Sequence, residues 1–162
     1  MANLIENDKI FYTNYEPKVA NRFILEVDGI PSFLCKKVSR PQIECGEVVL
    51  DHINIIRKMK GKCKWGDITI SMYDSIVPSG AQAVMEWVRT GHESVTGRDG
   101  YADFYKKNFD IFVLGPVGDK VENWKIWGAY IKTAQFGDMD WSTDTPVEIA
   151  LTIGIDYAVL EY

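Results

Sequence analysis

The chain has 162 residues, 46% of them hydrophobic and 25% charged, with a formal net charge of −5; that balance suits one soluble domain over 1–162 and argues against long disorder and against a dedicated, basic nucleic-acid binder. The apolar runs are short and broken by charge, so no membrane span is expected, and Met1–Asp8 lacks a basic segment followed by an apolar one, so no secretory signal is expected. Charge is uneven: residues 1–66 hold 11 basic and 8 acidic side chains, residues 67–162 hold 7 and 15, so a basic and an acidic region could meet between copies of the chain.

In chain order, Arg22–Asp28 alternates, with Phe23, Leu25 and Val27 on one face, which predicts a half-buried strand. Asp28-Gly29 marks a turn, and Ile30–Lys37 is expected to return as a second strand. Glu47–Ile56 is rich in β-branched residues, and Lys64–Tyr73 places Ile68, Ile70 and Met72 on one side. These two stretches predict a long hairpin whose turn, Arg57–Lys62, forms a basic tip. A helix is predicted at about 79–90. Ser79 and Gln82 have capping-box spacing, Ala81, Val84, Met85 and Val88 form an apolar stripe, and Gly91 stops it. That stripe reads as core packing.

Gly91–Tyr105 reads as loop, with a helical turn expected at 102–106. Phe109–Leu114 is a strand ended by Gly115-Pro116. Trp124–Thr133 is a strand with apolar residues on both faces, Trp124, Ile126 and Tyr130 against Trp127, Ala129 and Ile131, as in a closed barrel, a sandwich edge or an interface. Val147–Tyr157 alternates as one long last strand. Many strands with one helix predict a mainly β fold, a sandwich or barrel of two antiparallel sheets with a flanking helix.

Cys35, Cys45 and Cys63 are odd in number and lack metal-type spacing, so free thiols are expected, Cys35 and Cys63 as small apolar side chains. Neither His52 nor His92 sits beside a recognisable nucleophile, and phosphate-binding, dinucleotide and calcium-loop patterns are missing from the sequence. No enzyme activity, cofactor or metal is therefore expected. The basic row is more informative. Lys58, Lys60, Lys62 and Lys64 recur every second residue beside Arg57 and, if extended, share one face. Such a row is a solvated edge that blocks strand pairing, a contact for acidic residues of a neighbouring copy, or a contact for DNA. Asp138, Asp140, Asp144 and Glu148 are the acidic counterpart, and Trp127 and Tyr130 the aromatic contacts expected on the two-sided strand.

Three stretches resemble the tail tube proteins of contractile-tailed, T-even-type bacteriophages, which are related to tube proteins of contractile injection systems. The first is Asn21–Val27 followed by Val38-Ser39-Arg40-Pro41. The second is Arg57-Lys58, Gly61, Trp65 and Asp67-Ile68-Thr69-Ile70, leading to Asp74 and a helix bearing Trp87. The third is Trp127–Lys132, Asp140-Trp141-Ser142 and a strand ending in Asp156-Tyr157. The resemblance implies hexameric rings stacked head-to-tail, their sheets joined into an inner barrel, as a hollow tube inside a contractile sheath. It implies as partners further copies of the chain, the sheath, baseplate and terminator proteins, and tape measure protein and DNA in the lumen without sequence-specific binding or membrane contact. It places the protein in the virion tail after assembly in the host cytoplasm. Two readings stay open on the same fold: a baseplate or neck initiator or terminator, and the inner tube of a phage-like secretion system with protein cargo. An acidic lumen that repels phosphate, and an ordering segment at Met1–Ala20 or Gly91–Lys107, are further expectations.

Overall fold

The structure, a computed structural model, describes residues 16–161. The elements are β1 (Phe23–Val27), a 3-10 turn (Ser32–Leu34), β2 (Cys35–Val38), β3 (Ile43–His52), β4 (Ile55–Trp65), β5 (Ile68–Tyr73), α1 (Gly80–Gly91), α2 (Ala102–Tyr105), β6 (Lys107–Leu114), β7 (Lys120–Gln135), β8 (Glu148–Gly154) and β9 (Tyr157–Glu161). All strand pairings are antiparallel. One sheet runs β1-β6-β7-β9 and the other β2-β5-β8-β7, so β7 belongs to both. β3 and β4 pair only with each other. The mainly β architecture of two sheets and one main helix matches the sequence reading.

Alternation builds the core. Ile68, Ile70 and Met72 of β5 and Ile149, Leu151 and Ile153 of β8 face inward beside Leu25, Val27, Phe109, Ile111 and Ile126 of the opposing sheet. Each such side chain contributes about 1.5–3 kcal/mol relative to exposure. α1 adds Val84 and Trp87 to the same core, and the Trp87 Nε1–H donates to the Tyr105 carbonyl at 2.8 Å. The predicted cap is half formed: Ser79 Oγ accepts from the Gln82 N–H at 3.3 Å, but the Gln82 side chain turns to Glu86. Asp74 serves another of the free donors of the first turn, accepting from the Ala81 N–H at 3.2 Å.

β7 changes sheets at Gly128. There φ is +66°, and the register with β6 slips so that three residues of β7 face two of β6. Ile126 and Ala129, three apart, are therefore both buried. Asn108 Oδ1 accepts the Gly128 N–H at 3.1 Å, and the Asp156 N–H donates to the Trp127 carbonyl at 3.0 Å. Lys106 Nζ lies 2.8 and 2.9 Å from the two Asp156 carboxylate oxygens, a contact that raises the Lys106 ammonium above its ordinary value.

Several expectations are corrected. Ile30–Lys37 does not return along β1; Pro31 and the 3-10 turn carry the chain across to the other sheet, where β2 pairs with β5. The hairpin turn is Ile53-Asn54, so Arg57–Lys62 lies on the shaft of β4, where β-branched Ile55 and Ile56 continue the ladder. The hairpin therefore ends at Trp65, and β5 belongs elsewhere. The last long strand is two strands, because Asp156 is needed at the Gly128 corner and β9 departs to β7. The helical turn at 102–106 is present as α2. Of the segment Met1–Ala20, residues 1–15 lie outside the described residues.

Candidate assembly surface

The β3–β4 hairpin projects as an arm roughly 30 Å long. Every residue of β3 is exposed, and β4 becomes half-buried only from Gly61 toward its root. Trp65 anchors the root in the core, and the Gly66 N–H donates to the Gln42 carbonyl at 2.8 Å. Register and pleat define its two faces. Ile43, Val49, Ile56 and Trp65 share one with Glu47, Lys58 and Lys60; Val48, Leu50, Ile55 and Met59 share the other with Glu44, Arg57 and Lys64. Both faces thus mix apolar and charged groups, and Ile53 at the tip is 100% exposed. An unsupported two-stranded hairpin is marginal in water, and apolar exposure on this scale marks an interaction surface.

The row of four lysines does not share one face. Three residues of β4 span the interval that two span on β3, a bulge at Gly61-Lys62 opposite Gly46. The slip leaves Lys58 and Lys60 on one side and moves Lys64 to the other. A side chain at Gly61 would meet the Gly46 backbone at 3.0 Å, so glycine is what allows this approach. Lys58 and Lys64 are paired along the arm, with Glu47 at 3.2 Å and Glu44 at 3.8 Å. Arg57, Lys60 and Lys62 have no ion pair among the described residues. Beside the bulge, Cys45 and Cys63 face each other and are joined as a disulfide. That corrects the expectation of free thiols: position in the ladder, which an odd count conceals, brings the two sulfurs together. Cys35 alone is free, and burial pushes its thiol up to about 11.

The acidic residues gather less tightly. Asp138, Asp140 and Asp144 lie in the exposed segment between β7 and β8, which also presents Met139 and a fully exposed Trp141. Asp140 accepts from the Ser142 N–H at 2.9 Å and from its hydroxyl at 2.8 Å, and these bonds hold its carboxyl below the ordinary value. Glu148 is paired with Lys36 within the chain. Trp127 stacks on Tyr157 at 5.9 Å between ring centres, and both rings stay more than a third exposed. Tyr130 turns instead to Tyr105, edge-on at 6.2 Å. The structure does not bring Trp127 and Tyr130 to one patch.

Sequence reasoning missed two features. One is a groove of about 980 Å³ between the edge strands β1 and β2, floored by Leu25, Val38 and Ile111 and rimmed by Lys18, Arg22, Lys36, Lys37 and Arg40. The paired Lys36-Lys37 was the available signal. The other is Glu122, only 4% exposed, which meets Lys18, the Trp124 Nε1–H and, at 3.6 Å, Arg40 just before the arm. Burial pushes its carboxyl up, but these donors outweigh burial and hold it below the ordinary glutamate value. A lowered folded value stabilises above the unfolded value of about 4.3 and is lost as pH falls through the folded one. Glu122→Gln is accordingly expected to lose about 1–3 kcal/mol at pH 7, and less at an acidic pH below the folded value. Equal losses at both pH values in urea unfolding would contradict this. Among the described residues no three His, Cys, Asp or Glu side chains converge to hold a metal ion, and no helix is long and apolar enough to cross a membrane.

This fold is that of the tube and tube-cap proteins of contractile injection systems. The tube-terminating cap of the anti-feeding prophage matches with a TM-score of 0.75 at 17% identity, over 93% of this chain and 95% of that one. The sheath/tube terminator of the extracellular contractile injection system PVC matches with a TM-score of 0.74 at 17% identity, over 93% and 100%. A chain of the PVC sheath–tube complex matches with a TM-score of 0.72 at 17% identity, over 98% and 99%. No protein-family model and no curated protein matches the sequence.

Proposed function

We propose that this chain is a structural subunit of a contractile tail tube, forming stacked hexameric rings around a hollow conduit inside a sheath. The observation that carries it is the arm: a long hairpin with exposed apolar side chains among the charged ones on both faces, projecting from a fold with its own core. Such an arm is stabilised by burial against another copy. Head-to-tail stacking joins unlike patches, and the chain offers unlike patches in Arg57, Lys60 and Lys62 on the arm and Asp138 and Asp144 in the acidic segment. Trp127 with Tyr157 supplies a flat aromatic contact. On this reading, sheath, baseplate and terminator proteins are the outer and end partners, with tape measure protein and DNA in the lumen. The virion tail is the site of action, after assembly in the host cytoplasm, and the chain performs no catalysis.

A terminator of the same fold is the second reading, because a tube-terminating cap and a sheath/tube terminator match beside the sheath–tube chain. The two differ in polymerisation. Negative-stain electron microscopy over a concentration series, beside light scattering, is expected to show rings that lengthen into tubes. Single rings that never lengthen would favour the terminator. A monomer at every concentration, even with purified baseplates added, would overturn both.

A further inference from the structure

The register of the arm is poorly specified by its own sequence. One-residue slips are normally forbidden because they carry an apolar face into water, but both faces of this arm mix apolar and charged residues and both are exposed. The turn does not pin it either. Two-residue hairpins are usually held by turns with a left-handed residue, whereas Ile53-Asn54 contains no glycine and no described residue other than glycine has positive φ. At the root, Trp65 and the Gly66 N–H hold the arm to the body, and along the shaft only the exposed pairs Lys58–Glu47 and Lys64–Glu44 cross it; what fixes the ladder between them is the Gly46–Gly61 approach at the bulge and the Cys45–Cys63 disulfide beside it.

We propose that the Cys45–Cys63 disulfide is a redox lock on the arm, fixing its register when oxidised and releasing it when reduced. Cys45 is exposed and Cys63 half-buried, so a small thiol can reach the pair. A dithiol reductant attacks one sulfur as thiolate, forming a mixed disulfide and expelling the other cysteine as thiolate, which takes up a proton. The reductant's second thiol then closes its own disulfide and frees the first cysteine. Two electrons pass from the dithiol to the protein, and air or a small-molecule disulfide reverses the step. Cys35 stays outside this exchange, because it lies on β2 and is bonded to neither arm cysteine. The consequence for assembly rests on the tube reading: a subunit whose arm samples several registers presents no single stacking surface, so the lock sets the concentration at which rings stack.

Hydrogen exchange by mass spectrometry on the full chain tests the lock without requiring assembly. Closing a loop of this size corresponds to about a 100-fold shift in an opening equilibrium. Dithiothreitol is therefore expected to speed exchange in peptides from 43–65 by about that factor while peptides from 148–154 are unchanged. The Cys45→Ser/Cys63→Ser double variant should exchange like the reduced protein, with or without dithiothreitol. Unchanged arm exchange on reduction would overturn the lock. So would equal loosening of the 148–154 peptides, or three free thiols per chain in air-oxidised protein. If the arm loosens as expected but rings stack at an unchanged concentration, the lock stands and the role of the arm in stacking fails.

Discussion

Gly128→Val should lower the melting temperature by about 6–12 °C, a loss of about 3 kcal/mol for a chain of this size. Valine at φ +66° is strained. Its Cβ would also lie 2.0 Å from Asp156 Oδ2 and 2.4 Å from Asp156 Cγ, so Asp156 must leave its place and its contact with Lys106. Those groups hold β7 in its passage between sheets and start β9, so the damage reaches both sheets. Asp156→Gly combined with Gly128→Ala separates the terms: the clash is removed and the backbone strain remains. Scanning calorimetry of the single and double variants measures both. A Gly128→Val protein that melts within 2 °C of the wild type would show that the corner does not support the fold.

Ile53→Asp with Ile55→Asp should act oppositely, leaving the fold intact and stopping association. Ile53 is fully exposed and Ile55 is 70% exposed, so neither supports the core, and surface changes of this kind stay within about 0.5 kcal/mol. If the arm is the stacking element, two apolar contacts become two charges that must be desolvated. Contacts of that kind cost about 2 kcal/mol or more each when lost, so two of them should raise the concentration needed to form rings or tubes by about 1,000-fold. Light scattering against concentration measures it, and circular dichroism confirms the fold. Tubes at the wild-type concentration would show that the tip of the arm makes no contact.

These two sites also mark where sequence reading succeeds and stops. Period-two alternation placed β1, β5 and β8 with their buried faces, because one face of each packs on the core and the pattern records it. The cap at Ser79 and the helix to Gly91 follow local rules and were legible locally. The arm obeys no such rule. With both faces mostly exposed, nothing in its composition separates shaft from turn, and the sequence pattern puts the basic stretch at the tip. The same lack of pattern hid the bulge that splits the lysines and the pairing of Cys45 with Cys63.

Charge and aromatic content by themselves determined that the chain offers basic, acidic and aromatic surfaces for contact. Only the tertiary structure decided which are free. Glu148 is taken by Lys36, Tyr130 by Tyr105 and Asp140 by Ser142, whereas Trp127 remains open beside Tyr157. Partners such as Lys36 and Glu148, or Gly128 and Asp156, lie far apart along the chain and meet only through the sheet topology. Local propensity carries no term for that topology. It carries one for the face a strand buries, and for this reason the core was readable from the sequence while the corner, the arm and the surface pairings were not.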